Sequence, residues 1–368
     1  MKKLFKSQKK LGFKLLAIGA GIIALLLSGE LAVRQWNPQE IDGWGERIAL
    51  TPDDNFGWKL KPSQTSQLRW ETYDYSIVAN SLGFPGPEYS EAKPPNTFRI
   101  LVTGDAFSSG DGVQPEQNWV QLLEKRLNAE ASVRQQNRKV EVLNFSMTGY
   151  GPDQYAAVVK TFAPKYKPDL IIVEHYVNDY QDVMMTTAEF QTSIGFGKRD
   201  PNGIATILSL THLSNFLRNK VYSPIKEDLL GRPSPLYGYE LADFDRFKPP
   251  AAEAPDRLRK RLQDIQQVAQ SIGAKVIVPM VPSAIQVCTP QQLPYYPKHL
   301  NLADFDFELP QRTSQAIAQD LKLPFLDLIP TLKASSTCVY QPYNKHWLPS
   351  GHEAVAQQMA KRIIQDGF

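Results

Sequence analysis

Phe98-Arg99-Ile100-Leu101-Val102-Thr103-Gly104-Asp105-Ala106-Phe107-Ser108 decides the fold. Its first six residues are a largely apolar run of strand length, and Gly-Asp closes that run where the chain must turn sharply. Similar runs recur at Val140 to Phe145, Leu170 to Val173, Lys275 to Met280 and Pro324 to Ile329. Between them the apolar residues fall at helical spacing: Trp119, Leu122, Leu123 and Leu127; Tyr155, Val158, Val159 and Phe162; Leu258, Leu262, Ile265, Ala269 and Ile272. A last such face, Val355, Met359 and Ile363, follows the fifth run. Alternating strands and amphipathic helices predict an α/β three-layer sandwich with a mainly parallel five-stranded sheet and helices on both faces. Asn118 with Gln121, and Ser350 with Glu353, stand at capping-box spacing ahead of the first and last helices.

Outward from this core the chain changes character. Six lysines and no acid lie in the first fourteen residues, ahead of an uncharged stretch from Leu15 to Gly29. A basic flank stays on the cytoplasmic side. The uncharged core is shorter than the roughly 20 residues of a comfortable span, but Lys14 and Glu30 lengthen it by reaching toward the headgroups. Residues 1–34 are therefore expected to be a cytoplasmic basic tail and a single-pass anchor, with the rest on the extracytoplasmic side, periplasmic or cell-surface. A cleaved signal peptide is the alternative; no clear small-x-small cleavage site ends the run. Residues 35–95, rich in Pro, Gly, Trp and Tyr and without a helical period, are expected to form an irregular or short-stranded lead-in with a turn at Asn80 to Phe84. Residues 96–368 form the main domain. An insertion at about 181–250 interrupts the strand–helix rhythm, with a short helix from Leu208 to Lys220. It is either a lid over the carboxyl edge of the sheet, where open α/β sheets bind ligands, or a peripheral elaboration.

Composition sets limits. Hydrophobic residues make up 42% and charged residues 21% of the 368, which excludes general disorder. The net charge of +3 comes from the amino terminus; beyond it 35 basic residues face 38 acidic ones. That balance excludes a nucleic-acid footprint on the folded part. Cys288 and Cys338 permit a disulfide in an oxidising compartment or two free buried thiols, and without clustered histidines they suggest no metal site.

Four blocks carry chemistry. Gly104-Asp105-Ala106 ends the first strand. Asn144 to Gly151 contains Gly149, a residue with no side chain to crowd its surroundings. Tyr176-Val177-Asn178-Asp179 follows the third strand. Asn344-Lys345-His346-Trp347-Leu348-Pro349-Ser350-Gly351-His352 precedes the last helix. In this order the blocks resemble the SGNH (GDSL-type) hydrolases, over roughly Asn80 to the carboxyl terminus.

The resemblance implies a flavodoxin-like fold and a site made from one residue of each block and a second residue of the last. Ala106 holds the place of the family's nucleophilic serine, Gly149 and Asn178 the places of its oxyanion donors, and His346 that of its base. Asn344, or Tyr343 beside it, stands where the orienting acid is usual. A methyl group cannot attack an ester, and losing the nucleophile of a serine hydrolase costs on the order of a millionfold in turnover. Replacing the triad acid by an amide costs roughly ten-thousandfold. Ser108 and Ser109 lie several ångströms from the required place, and Asp105 is expected to hold the turn. His352 is expected to cap or pack at the helix start, and His175, His212 and His299 to be structural or surface residues. Two readings follow. One is a membrane-tethered esterase or O-acyl(acetyl)transferase scaffold for cell-envelope carbohydrate esters; the other is an inactive relative that binds an acyl or sugar group or serves in assembly. No metal and no organic cofactor is implied by either.

Overall fold

In the computed structural model, the residues described are 2–36, 48–70, 73–130, 133, 135, 137–185, 211–217, 221, 244, 253–293, 301–341 and 345–367. They fall into two units, Met1–Gly45 with Arg199–Gly231, and Glu46–Lys198 with Arg232–Phe368.

In the second unit the aromatic-rich lead-in forms two antiparallel hairpins, β1 (Leu50–Asp53) with β2 (Gly57–Leu60) and β3 (Thr65–Trp70) with β4 (Tyr73–Val78). The predicted turn follows: Asn80 Oδ1 accepts from Leu82 N and Phe84 N at 3.0 and 3.1 Å, and Gly83 takes a φ of 84° that suits glycine. The hairpins pack on the main domain. Trp58 Nε1 donates to Thr148 O at 3.0 Å, Tyr150 OH donates to Trp58 O at 2.7 Å, and Phe56 and Phe84 join Phe145 and Phe162 in one aromatic cluster.

The five predicted strands form the central sheet: β5 (Thr97–Thr103), β6 (Lys139–Asn144), β7 (Leu170–Val173), β9 (Lys275–Val281) and β10 (Phe325–Asp327). Their order is β10-β9-β7-β5-β6, all parallel. A two-residue strand, β8 (His175–Tyr176), resumes beyond Glu174 and adds a sixth by pairing with β9. Every residue of β5 and β7 is buried, as strands covered on both faces require.

Strand β5 leads through α2 (Ala106–Ser109) and α3 (Trp119–Ala129) to β6 on one side. The chain then crosses through α4 (Pro152–Tyr166) to β7 on the other side of β5. Right-handed crossovers in opposite directions lie on opposite faces, so α3 and α4 cover different faces and the topological switch point falls beside the end of β5. Helix α4 packs on α7 (Ala254–Ser271), and α3 packs on the last helix, α9 (Pro349–Gln365). The capping box expected at Ser350 does not form. Pro349 occupies the first turn, Leu348 takes the cap position without a side-chain bond, and Glu353 pairs with Arg126 instead.

Cys288 and Cys338 are joined, 50 residues apart in sequence, which removes the free-thiol alternative. Closing a loop of that length stabilises the fold by about 4 kcal/mol in the chain-entropy treatment.

In the first unit α1 (Lys2–Trp36) is one continuous helix, and its Leu16–Trp36 portion is long and apolar enough to cross a membrane. The described part of the insertion here is 211–217 and 221, with α6 (His212–Phe216) inside the expected Leu208 to Lys220 helix. The rest of that expected helix, and most of the segment expected to be a lid, lie outside the described residues.

Candidate functional site

The site is built at the carboxyl ends of three adjacent strands. Val102 of β5 is paired with Asn144 of β6, and Thr103 with Val173 of β7, so the turns bearing Ala106, Gly149 and Asn178 leave neighbouring strands at one rim. Met147 N donates to Gly104 O at 3.1 Å and ties the second turn to the first. The fourth block reaches the same place through rings: Phe107 lies 5.4 Å from His346, 4.6 Å from Trp347 and 4.8 Å from Tyr176, centroid to centroid.

The first turn is held tightly. A Cβ on Gly104 would sit 2.3 Å from Glu174 Oε2, so no other residue fits without moving that carboxyl. Asp105 Oδ1 caps α2 by accepting from Phe107 N at 2.9 Å, while Asp105 N donates to Glu174 Oε2 at 3.0 Å. Asp105 thus holds the turn. Ala106 is the first residue of α2 and is only 6% exposed.

Neither nearby serine is available as a substitute. Ser108 is fully buried; its Oγ donates to Glu174 Oε2 at 2.9 Å and accepts from Trp119 Nε1 at 3.2 Å. Its carbonyl is held by Asn118 and Asn144 side-chain amides at 2.9 and 2.8 Å. Ser109 Oγ donates to Asp111 Oδ1 at 2.7 Å and lies 3.1 Å from Thr148 Oγ1. Both hydroxyls are structural ties with no imidazole among these partners.

The other positions have distinct local reasons. Gly149 has a φ of 78°, in the left-handed region that favours glycine. Asn178 precedes the short helix α5 (Asp179–Asp182), and its buried Oδ1 has no hydrogen-bond partner among the described residues. His346 sits in the loop closed by Leu348 N donating to Val339 O at 2.8 Å and Gln341 N donating to His346 O at 2.8 Å. Burial and the Lys345 charge push its imidazole well below the ordinary range, so the ring is neutral. Asn344 and Tyr343 lie outside the described residues.

A buried carboxyl, Glu174, is the residue that sequence reasoning missed. It receives the Asp105 N–H and the Ser108 hydroxyl, and burial together with the Asp105 and Asp179 charges pushes its pKa well up. Asp105 is likewise pushed up, first by burial and then by Asp179. Two adjoining buried carboxyls are best held with a proton between them. The available signal was an acid directly after the all-apolar β7.

His175, read as structural or surface, is structural. Its Nδ1 lies 2.5 Å from Asp179 Oδ2 and its Nε2 2.8 Å from Ser314 Oγ, all three residues being buried. His352 is completely buried and accepts from Trp119 N at Nδ1, 3.2 Å away, fastening α9 to the start of α3. His212 belongs to α6, and His299 lies outside the described residues. Among the described residues no group of His, Cys, Asp and Glu could hold a metal ion.

No family description matches this chain, and neither does any curated protein. Solved structures do. The chain is similar to TesA at 17% identity, covering 72% of this chain and 97% of that one with a TM-score of 0.40. It is similar to a catalytic mutant of an acetylxylan esterase from Geobacillus stearothermophilus at 13% identity, with coverages of 73% and 94% and a TM-score of 0.41. A G-D-S-L family lipolytic protein from Desulfitobacterium hafniense matches at 10% identity, with coverages of 72% and 98% and a TM-score of 0.38. The likeness is one of fold.

Proposed function

We propose that this chain is a membrane-anchored relative of the SGNH hydrolases that binds an acylated carbohydrate or similar ester at the rim of its sheet without hydrolysing it by the serine mechanism. The observation that carries this reading is the state of the first turn. A methyl group stands at its helix start, and the two serines beside it are buried and hydrogen-bonded elsewhere. A nucleophile must be exposed toward a base, and these hydroxyls face carboxyls in the interior. Support for a retained pocket comes from the glycine conformation at Gly149 and a neutral His346 ring beside Phe107. Backbone and amide donors that steady an oxyanion also hold a ground-state carbonyl oxygen, more weakly. The apolar portion of α1 supports the anchor, and its lysine-rich flank supports a main domain on the extracytoplasmic side.

The test is p-nitrophenyl acetate hydrolysis by the full chain in detergent beside two variants. The unaltered chain is expected at background. Ala106→Ser is expected to raise turnover, and Ala106→Ser with Asn344→Asp to raise it further, since these restore the nucleophile and the orienting acid. Robust turnover by the unaltered chain, abolished by Ser108→Ala, would replace the binding reading with an enzyme that has shifted its nucleophile. Equal affinity for O-acetylated and deacetylated envelope polysaccharide would remove the ester specificity.

A further inference from the structure

The carboxyl end of α1 carries an acid inside its apolar portion, and the first unit explains why that acid is tolerated. Glu30 Oε1 accepts from His212 N at 3.1 Å and Oε2 from Leu213 N at 2.8 Å, while Arg34 Nε donates to Oε1 at 3.0 Å. Thr211 Oγ1 accepts from Ser214 N at 3.2 Å. Three of the N–H groups at the start of α6 are thereby satisfied, and a charge that would be costly in hydrocarbon is fully engaged. Gly29 makes room for this contact: a Cβ there would meet Leu213 Cδ2 at 3.0 Å.

In the sequence Leu213, Leu217 and Val221 recur at i, i+4 and i+8, a spacing that suits one helical face. Leu213 is against α1, whereas Leu217 and Val221 are 48% and 40% exposed. On α1, Leu25, Leu26, Leu27 and Leu31, which flank Gly29 and Glu30 in sequence, are exposed as well. Trp36, 82% exposed, ends the apolar portion, and tryptophan settles at membrane interfaces. Glu30 is six residues before it, about 9 Å along the helix axis, which matches the roughly 5–10 Å depth at which interfacial helices bury their apolar faces. The sequence also sets Arg218 and Lys220 between the two exposed apolar residues, as headgroup contact favours.

We infer that the insertion's 211–217 segment and Val221 lie in the headgroup–acyl boundary of the bilayer beside the carboxyl end of α1, fixed there by Glu30, as a second membrane contact. This rests on α1 being an uncleaved anchor, and the experiment separates the two. The full chain carrying Leu217→Cys, or Leu25→Cys as a reference within α1, is labelled with an environment-sensitive nitrobenzoxadiazole dye and reconstituted in phosphatidylcholine vesicles. Lipids brominated near the headgroup, lipids brominated at the chain ends and aqueous iodide serve as quenchers. The Leu217 site is expected to be quenched severalfold more by shallow bromines than by iodide, the Leu25 site by deep bromines. Adding Glu30→Leu is expected to shift the Leu217 dye toward iodide. Iodide quenching at Leu217 with deep-bromine quenching at Leu25 overturns the inference and leaves the anchor. Iodide quenching at both removes the anchor and the inference with it. An unchanged Leu217 signal in the Glu30→Leu background overturns the role of Glu30 as the fixing group.

Discussion

Two places in the main domain invert each other. The turn after β5, where the proposed reading places a nucleophile, has no hydroxyl at Ala106, while Ser314, His175 and Asp179 have the contacts of a catalytic triad in the interior. In the second group the serine hydroxyl is 2.8 Å from the imidazole, and the imidazole 2.5 Å from the carboxylate. Asp179 further accepts from Tyr176 N at 3.1 Å and Tyr155 OH at 3.2 Å, and Ser314 Oγ lies 2.7 Å from Tyr180 OH. All of these side chains are buried, and they pin β8 and Asn178's turn to α8 (Leu309–Asp320). A chain of hydrogen bonds becomes a catalytic site only at an accessible rim with donors for the developing charge. In the interior the same bonds are mortar.

The contrast can be broken or sharpened by experiment. The largest effect is expected from Ala106→Ser with Asn344→Asp, a gain in ester turnover of orders of magnitude, because the nucleophile and acid are each worth about ten-thousandfold or more in working triads. Ser314→Ala added to that background should leave turnover unchanged; its loss would make the buried group the catalyst and break the comparison. Next in size is Asp179→Ala, which strands His175, Tyr155 and the Tyr176 N–H. Urea unfolding should show a loss of about 3–5 kcal/mol, and a loss below 1 kcal/mol would mean the group holds nothing together.

Asp111 offers a smaller, pH-dependent effect in the first turn. Burial, opposed by the Ser109 and Thr148 hydroxyls, raises its carboxyl from the ordinary 3.8 to about 6. The native fold then keeps a proton that the unfolded chain has released, so this group's contribution falls as pH rises through that window, by about 3 kcal/mol. Buried His352, pushed down to about 3, acts with opposite sign below its ordinary 6.5. The measurement is therefore the difference between the unaltered chain and Asp111→Asn in urea midpoint against pH. That difference should open from pH about 4 to 6, and a flat difference would sink the assignment. Smallest is Ser314→Ala alone, expected to cost about 1–3 kcal/mol through the bonds lost to His175 and Tyr180.

How far the sequence could be read depended on how local the signal was. The five strand runs stand out because each is short and largely apolar, and the helices because their apolar stripe repeats every 3.6 residues. Asn80's turn is legible from five residues. The failed capping box at Ser350 shows the limit even at short range: Glu353 had a better partner in Arg126, more than two hundred positions away. Glu174's hold on the first turn, and His175's on Ser314 across 139 residues, have no signature in spacing. Neither does the clasp of Glu30 on the start of α6, 182 residues on.

By itself the sequence determined the order of the elements, the parallel sheet, and the absence of a hydroxyl at position 106, since these depend on residue type and on repeats shorter than a helix. Tertiary structure alone decided which serines are free to react, which carboxyls keep their protons and which histidine is mortar. Those properties depend on what is excluded from water and what lies within 3 Å, and only closing the chain brings such partners together.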